Sequence, residues 1–446
     1  MAILRVSWLS SWAGVAAAIL GMVVTRPVAA GLEPQAALKA SLATPVVLAG
    51  KKQTVYLKVG ITGFALPRDG KRPPVNLAIV LDRSGSMTGQ KLEDAKKAAI
   101  MALDQLDSAD IVSVVTYDNT VNVLVPATKM TDKGDIVAKI QTITAGGSTA
   151  LFAGVSKGSE EVRKFLNKER VNRVILLSDG IANVGPSSPD DLGGLGGSLM
   201  KEGITVSTIG LGLDYNEDLM TKLSAKAGGS HYFAETPRDL AKTFEREFDR
   251  STRVVGQEVV ARIECAPGVR PIRVLGRDAE ITGQMVSVPL DQLYSESEKY
   301  LILEIELPDG RDTEEREAAK VEVSYLNMKT KETDRVKAAV PVRFTNSPAD
   351  VESKTDRDAM VSAVEQVATE KSQTAMKLRD QGKVKEAREL LMSNSGYLAS
   401  NAGKYGSQKL VEYQQENEKN ANNLDDANWQ RTRKSQSAGD VWRVKQ

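Results

Sequence analysis

Five oxygen-bearing side chains lie at positions where they could bind one divalent metal ion. Three of them, Asp82, Ser84 and Ser86, alternate in a D-x-S-x-S segment that directly follows the apolar run of residues 75–81. In a tight loop, alternate residues turn their side chains toward one point, and Gly85 permits the bend. Mg²⁺ prefers oxygen ligands in near-octahedral geometry. The segment is therefore a candidate metal loop, although the string by itself also matches a serine-rich turn.

Two further residues, Thr149 and Asp179, come from separate segments of the chain. Thr149 ends a Gly-Gly-Ser-Thr stretch just before a predicted helix, and Asp179 follows an apolar run at residues 174–177. In an open parallel sheet, ligand-binding residues collect at the carboxyl ends of the strands, where the strand order reverses. We therefore expect all five side chains at one sheet edge, where they bind Mg²⁺, with Mn²⁺ or Ca²⁺ as alternatives.

The elements that must position these residues alternate between buried strands and amphipathic helices. Strand-like runs cover residues 75–81, 111–117, 121–125, 174–177, 205–211 and 230–233. Helical spacing of apolar residues covers 91–106, 150–166, 189–201, 217–225 and 238–248. This alternation predicts an α/β fold with a doubly wound, mostly parallel, Rossmann-like sheet that is covered on both faces.

Strand character returns on both sides of this region. Residues 254–345 contain strand-like stretches split by turns, which is typical of a β-sandwich. Before the α/β region, residues 54–61 alternate like a half-buried strand. Because a single strand segment is not stable alone, we hypothesise that residues 37–66 join the sandwich and that the α/β domain is inserted into it.

The chain turns helical from Val351, and two apolar stripes on either side of Gly382 predict a helical hairpin. The hairpin looks like one tetratricopeptide-type unit, but there is no clear second copy. The polar end of the chain is expected to be partly disordered.

The predicted organisation is a signal peptide (1–30), an N-terminal β segment (31–73), the α/β domain (74–252), a β-sandwich (253–346), a helical hairpin region (347–414) and a polar tail (415–446).

The first thirty residues predict export from the cytoplasm. A short, weakly positive start precedes an apolar stretch at residues 6–24, and Val28-Ala29-Ala30 supplies small residues for cleavage. This is the order of regions in a secretory signal. The alternative is an uncleaved membrane anchor, because about 19 apolar residues nearly span a bilayer. We expect a periplasmic or extracellular protein that is tethered to the membrane only if this segment is uncleaved.

The net charge and the small numbers of histidine and cysteine residues argue against several classes of function. A net charge of +1 gives no indication of a nucleic-acid partner. The single cysteine, Cys265, excludes an intramolecular disulfide and a zinc site of several thiolates. Cys265 is expected to be a buried small hydrophobe, and the single histidine, His231, a packed strand residue. No Ser-His or Cys-His pair for catalysis is predicted.

The glycine-rich segment from Gly193 to Gly197 lacks the Lys-Ser or Lys-Thr ending of a phosphate loop. It is expected to be a loose helix start or loop.

The motifs IVLDRSGSM, GGSTALFAG and VILLSDGIANVG resemble those of the von Willebrand factor A domain. The resemblance covers the predicted α/β region and implies a metal-ion-dependent adhesion site. In such a site the hydroxyls of Ser84, Ser86 and Thr149 bind the metal, while Asp82 and Asp179 act directly or through water. The length and the helical end also look like bacterial exported A-domain proteins, some labelled calcium-activated chloride channel-like. Apart from the stretch at residues 6–24, the sequence predicts no membrane helix, so nothing supports a pore.

The predicted site indicates binding rather than catalysis. Three neutral hydroxyls leave a bound cation poorly compensated, so a carboxylate from a partner protein could fill an open coordination position. We therefore expect an exported, metal-dependent protein-binding module of the adhesion type, whose partner presents an acidic side chain, and not an enzyme. The alternative is a structural or assembly subunit of an envelope complex, in which the metal only stabilises the loops.

Overall fold

The computed structural model of the protein describes residues 35–66 and 72–445. The predicted signal peptide at residues 1–30 lies outside the described residues, so its role in export stays a prediction. Within the described part of the chain, no helix combines the length and the apolar character needed to cross a membrane.

The N-terminal segment forms strands before the α/β region begins. They are β1 (Ala37–Leu42), β2 (Val46–Leu48) and β3 (Gln53–Thr62). The second half of β3 is buried almost throughout, on both of its faces. A strand of this kind is stable only when other elements cover both sides of its sheet.

Residues 75–252, all of which the structure describes, form the α/β region. Its strands are β4 (Val75–Asp82), β5 (Ile111–Tyr117), β6 (Val121–Lys129), β7 (Val171–Ser178), β8 (Thr205–Leu211) and β9 (Gly228–Ala234). Its α-helices are α1 (Gln90–Leu103), α2 (Lys133–Gln141), α3 (Leu151–Arg163), α4 (Pro189–Lys201), α5 (Glu217–Lys226) and α6 (Pro237–Thr252). Every residue of β4, β5, β7 and β8 is buried, as expected for strands that helices cover on both faces.

These strands form one sheet in the order β6-β5-β4-β7-β8-β9, and all neighbours are parallel except β5 and β6. The central strand is β4, from which the chain continues to β5 on one side and later returns to β7 on the other. The carboxyl end of β4 is therefore the point where the strand order reverses, and open α/β sheets bind their ligands at this point. The mostly parallel sheet predicted from the sequence is confirmed.

Residues 254–345 form the remaining strands. They are β10 (Val254–Cys265), β11 (Arg270–Val274), β12 (Glu280–Thr282), β13 (Met285–Tyr294), β14 (Glu298–Leu307), β15 (Glu315–Asn327) and β16 (Thr333–Thr345). Together with the N-terminal strands they make two sheets, in the orders β1-β3-β14-β11 and β12-β13-β10-β15-β16-β2. Apolar side chains from both sheets form one common core, the arrangement that defines a sandwich.

The N-terminal segment is held in this sandwich by β3. It pairs antiparallel with β14 along its whole length, from Gln53 opposite Leu307 to Thr62 opposite Glu298, and β1 pairs with its other edge. The α/β region therefore leaves the sandwich after β3 and returns to it at β10. This pairing is the one that the hypothesis of an inserted α/β domain requires.

The C-terminal region is helical through Lys445. Its helices are α7 (Pro348–Ser353), α8 (Arg357–Asp380), α9 (Val384–Tyr405), α10 (Gln408–Asn422) and α11 (Asp426–Lys445). Helices α8 and α9 form the predicted hairpin, and Gly382, with a φ of +79°, makes the turn that glycine adopts without strain. Helix α10 packs against α9, and α11 packs against α8.

The prediction that residues 415–446 are partly disordered is wrong for the described part of that segment. Its helices bury polar side chains that have partners inside the protein. Asn417 accepts a hydrogen bond from Asn394 at 3.0 Å, and Lys434 donates to Glu217 at 2.6 Å. Polar composition usually indicates a solvated chain, but here hydrogen bonds and ion pairs take the place of apolar contacts.

Helix α11 also binds the helical region to the α/β domain. Arg433 forms ion pairs with Glu217 and Asp218 of α5 at 2.5 and 2.7 Å. The same guanidinium lies 2.8 Å from Asp380 at the end of α8. One arginine therefore connects three helices, a role for which a planar group with several donors is well suited.

We expect Leu57→Ala to destabilise the sandwich. Leu57 is fully buried in β3 and belongs to the core between the two sheets, so truncating it leaves a cavity that costs about 2–5 kcal/mol. Chemical denaturation followed by circular dichroism measures the loss. The matched control is Lys52→Ala, an exposed position just before the same strand, which should change stability by less than about 0.5 kcal/mol. Equal stability of the two variants would contradict the placement of β3 in the core.

Candidate metal centre

Three loops meet at the carboxyl edge of the α/β sheet. Asp82 ends β4, Asp179 directly follows β7, and Thr149 lies just before α3. The N–H of Gly85 donates to the carbonyl oxygen of Gly147 at 3.0 Å. This bond fixes the D-x-S-x-S loop against the glycine-rich loop that carries Thr149.

Asp82 is fully buried at the base of the site. Its Oδ1 accepts the N–H of Ser84 at 2.8 Å, and its Oδ2 accepts the hydroxyl of Ser178 at 2.5 Å. Burial raises the pKa of the Asp82 carboxyl; these hydrogen bonds oppose the shift, and the negative charge of Asp179 adds to it. A cation beside the two carboxylates would favour their charged forms.

The two serine hydroxyls connect the loops. Ser86 Oγ donates to Asp179 Oδ1 at 2.7 Å and lies 3.1 Å from Ser84 Oγ. Ser84 is buried whereas Ser86 is exposed, so the site opens to solvent on the side of Ser86. Hydrogen bonds therefore connect four of the five predicted residues, with Asp82 joined through the backbone N–H of Ser84.

The fifth residue, Thr149, approaches Asp82 beside Gly180. A side-chain carbon on Gly180 would lie 3.0 Å from Thr149 Oγ1 and 3.5 Å from Asp82 Oδ2, so both oxygens border the backbone of that residue. Asn183 holds the loop in place: its Oδ1 accepts the N–H of Thr149 at 2.8 Å, and its own N–H donates to Thr149 O at 3.1 Å. The structure thus brings all five predicted residues together.

Lys91 of α1 places a positive charge at this site. Its Nζ lies 2.6 Å from Asp179 Oδ2 and 3.5 Å from Asp214. Partial burial lowers the pKa of Lys91, but the hydrogen bond and the charge of Asp179 outweigh burial and raise it overall. The ammonium therefore partly compensates the negative charge that the two carboxylates bring to the sheet edge.

Sequence reasoning missed Ser178, Asn183 and Lys91. Each acts through a hydrogen bond or ion pair to a residue far away in the sequence, as Ser178 does with Asp82, 96 positions earlier. In the sequence, these residues could be linked to the site only by their position. Ser178 and Asn183 belong to the motif VILLSDGIANVG, and Lys91 lies four residues after IVLDRSGSM.

The donor atoms fit a hard divalent cation. They are carboxylate and hydroxyl oxygens, the ligands that Mg²⁺ prefers. Within residues 35–66 and 72–445, no group of three or more His, Cys, Asp or Glu could hold a metal. A metal at this centre would therefore depend on hydroxyl ligands, with Asp82 and Asp179 supplying the charge.

His231 and Cys265 are packed residues, as predicted. The His231 ring lies 2.9 Å from Thr208 Oγ1 and 3.3 Å from the Tyr215 hydroxyl, and burial lowers its pKa to about 3. Cys265 belongs to the sandwich core, and burial raises its pKa to about 11. Neither side chain is exposed.

The expectation for Gly193 to Gly197 is wrong, because these residues lie inside α4 rather than in a loop or at a loose helix start. A side-chain carbon on Gly196 would lie 2.6 Å from the carbonyl oxygen of Leu223 on α5. Gly196 is therefore tolerated within the helix because it lets α4 and α5 approach closely.

Comparisons with known proteins agree with this fold. Residues 76–246 match the family model of the von Willebrand factor type A domain. The chain is 31% identical over 261 residues to the uncharacterized protein sll0103 of Synechocystis sp., covering 56% of this chain and 61% of that relative. It is 29% identical over 221 residues to the uncharacterized protein YfbK of Escherichia coli, covering 48% and 38%. The chain therefore spans less than two thirds of these curated relatives.

A solved structure supports the fold over a longer stretch. The von Willebrand factor type A protein from Catenulispora acidiphila superposes with a TM-score of 0.67 at 17% identity, over 86% of this chain and 89% of that one. With the family match, this shows that the α/β region is a von Willebrand factor type A domain. The antiparallel sheets and the helices α8 to α11 are additions to that domain.

We expect Lys91→Met to lower thermal stability in the presence of a chelator. Asp179 is fully buried, and without its ammonium partner it becomes an uncompensated buried charge. The Lys91 side chain is 37% exposed, so solvent screening limits the loss to about 1–2 kcal/mol. Thermal unfolding in EDTA measures it. Lys97→Met on the same helix is the control, because Lys97 is 69% exposed and lies 3.8 Å from Asp94. A loss of the same size in the control would argue against this role of Lys91.

Proposed function

We propose that the chain is an exported binding module that recognises an acidic side chain of a partner protein through a divalent cation at this centre. The observation that carries the proposal is the meeting of two buried carboxylates and three hydroxyls from three separate loops. The proposed export depends on the secretion signal predicted at residues 1–30.

The cation would be held by five residues of the von Willebrand factor type A domain. Ser84, Ser86 and Thr149 would bind it through their hydroxyls, and Asp82 and Asp179 would bind directly or through water. When bound, it supplies a positive centre that accepts a further oxygen ligand.

The charges around the centre favour an anionic ligand. Asp82 and Asp179 contribute two negative charges, and Lys91 contributes one positive charge 2.6 Å from Asp179. A divalent cation would therefore leave these three side chains and the metal positive by one, and the charge of Asp214, 3.5 Å from Lys91 but 75% exposed, is largely screened by solvent. The hydroxyl ligands are neutral, so a carboxylate from outside would complete the compensation.

The surface next to the centre favours a protein as the partner. Ile181, two residues after Asp179, has 59% of its surface exposed, and Ser86 is also exposed. An apolar anchor beside a polar centre is typical of the core of a protein interface. A small ion or metabolite would gain little from this isoleucine.

The chemistry around the centre favours binding over catalysis. Hydrolysis at a metal site is commonly assisted by a general base that takes a proton from the reacting water. The histidine of the chain, His231, is buried between Thr208 and Tyr215. Asp82 and Asp179 already accept hydrogen bonds from hydroxyls, so neither is well placed to take up a proton from a substrate.

We expect calorimetric titration to detect one Mg²⁺ site in the full chain. Asp82→Asn should weaken this binding at least about tenfold, or about 1.4 kcal/mol, because it removes one of two carboxylates. Lys91→Met should strengthen binding, since the ammonium competes for Asp179. The control Asp278→Asn changes a carboxylate that is 80% exposed in the sandwich. Identical titrations for wild type, Asp82→Asn and Asp278→Asn would refute the metal centre.

We also expect partner binding to require both the metal and the apolar anchor. Envelope proteins captured on the immobilised chain in Mg²⁺ should be released by EDTA, and Asp82→Asn should not capture them. Ile181→Ser should reduce capture while leaving Mg²⁺ affinity unchanged, because Ile181 carries no ligand atom in its side chain. If partners stay bound in EDTA and to Asp82→Asn, the adhesion-type proposal fails, and an assembly subunit with a stabilising metal becomes the better account.

A further inference from the structure

A cleft of about 820 Å³ lies where the α/β domain, the sandwich and the C-terminal helices meet. Helix α6 lines one wall, the β13–β14 turn and the start of β14 line another, and α8 and α11 contribute further residues. Single positions on β3 and α10 and two on β9 also line the cleft. Sites for small molecules typically have volumes of about 300–1,000 Å³. None of the five residues of the metal centre lines the cleft, so its function can be considered separately.

The lining of the cleft is strongly basic, with seven Lys or Arg side chains and three Asp or Glu side chains. Two of the carboxylates, Glu298 and Asp358, contact the same ammonium, Lys58, at 3.1 and 2.8 Å. The third carboxylate, Asp249, lies 3.7 Å from Arg253. Two further lining cations pair with carboxylates outside the lining, Lys409 with Glu365 at 2.7 Å and Arg253 with Glu296 at 3.8 Å. The excess of positive charge therefore falls on Arg246, Arg250, Lys299 and Lys445.

Two ammonium groups on the inner wall share one carboxylate. The side chains of Lys299 and Lys445 are only 5% and 11% exposed, and they lie 3.7 and 3.9 Å from Asp291. Their closer contacts include neutral carbonyl oxygens, of Leu290 at 2.9 Å for Lys299 and of Ser224 at 3.1 Å for Lys445. The inner wall therefore carries more positive than negative charge in a place that water reaches poorly.

Arg250 adds to this positive charge. Its guanidinium lies 4.4 Å from the centre of the Tyr294 ring, and Lys299 Nζ lies 5.7 Å from the same ring. Burial raises the pKa of Tyr294, but the charges of Arg250 and Arg173 outweigh burial and lower it overall. Burial and the neighbouring arginines, against the attraction of Asp291, lower the pKa of Lys299 to about 7. The Tyr294 shift agrees with a positive potential beside Arg250, against the opposing charge of Glu247, whereas burial is the main cause of the Lys299 shift.

We propose that this cleft binds a small phosphate-bearing ligand between Lys299, Lys445 and Arg250. A guanidinium and two ammonium groups match the several oxygens and the multiple charge of a phosphate ester or a pyrophosphate. The aromatic rings of Tyr300 and Trp442 also line the cleft and offer apolar surface to the organic part of such a ligand. Buried cations with too few anions are unfavourable, and the bound phosphate compensates them.

Pyrophosphate is the probe for the test, and EDTA is present throughout so that the metal centre does not contribute. Calorimetry on the full chain should show one saturable site with micromolar affinity. Chloride at the same ionic strength should not compete. Trp442 is 47% exposed and lines the cleft, so the tryptophan fluorescence should change on binding. Trp442→Phe should abolish that change while keeping the calorimetric signal.

Three variants locate the site. Lys299→Met should weaken pyrophosphate binding at least about tenfold, or about 1.4 kcal/mol, and should raise the melting temperature in phosphate-free buffer because it removes a buried charge. Arg246→Ala, an exposed lining position on α6, tests the site without disturbing the core and should weaken binding about threefold, or about 0.7 kcal/mol. Lys385→Met changes a lysine that is 90% exposed on α9 and should have no effect.

The proposal is overturned by any of three results. The first is the absence of a saturable signal with pyrophosphate. The second is equal affinity in wild type, Lys299→Met and Arg246→Ala. The third is full competition by sulfate or by polyglutamate at the same charge concentration, which would mean a general affinity for anions or a site for acidic peptides.

Discussion

The repulsion between two buried carboxylates is the constraint on which the candidate metal centre depends. β4 and β7 are parallel neighbours, and neighbouring strands lie about 4.8 Å apart, so residues at their carboxyl ends are necessarily close. Asp82 and Asp179 occupy those positions, and both are fully buried. The structure tolerates this because the hydroxyls of Ser178 and Ser86 and the ammonium of Lys91 contact their oxygens.

The almost neutral net charge of the chain hides two local imbalances of opposite sign. At the carboxyl edge of the α/β sheet, two buried carboxylates face one ammonium, which also lies 3.5 Å from the exposed Asp214. In the cleft that α6 lines, the ammonium groups of Lys299 and Lys445 both lie near the carboxylate of Asp291. Folding concentrates charges that the sequence spreads over several hundred residues, and each imbalance fits a ligand of the opposite charge. Neither could be inferred from a net charge of +1.

The sequence predicted the elements whose signals are local. The helix at 189–201 and the strand at 205–211 are found with the same bounds, because a continuous apolar run or a helical spacing is visible without tertiary information. The five candidate ligands were found because each lies within a few residues of a strand's carboxyl end or of a helix start. Helix α2 was missed because only Ile136 and Ile140 are buried in it. The polar helices α10 and α11 were missed because their burial depends on partners elsewhere in the chain, such as Glu217 for Lys434.

The long-range pairing in the sandwich has a consequence for the order in which the chain folds. Lys58 of β3 reaches Glu298 of β14 across 240 positions, and the whole α/β domain lies between them. Contacts between residues so far apart in the sequence form slowly, because the entropy of closing a long loop is lost before the contacts contribute any stability. An α/β domain that folds first would draw the ends of this loop together and shorten the effective search. The folded α/β domain would then hold β3 and β14 near each other while the sandwich forms. Substitutions that destabilise the α/β domain would therefore slow the folding of the sandwich as well.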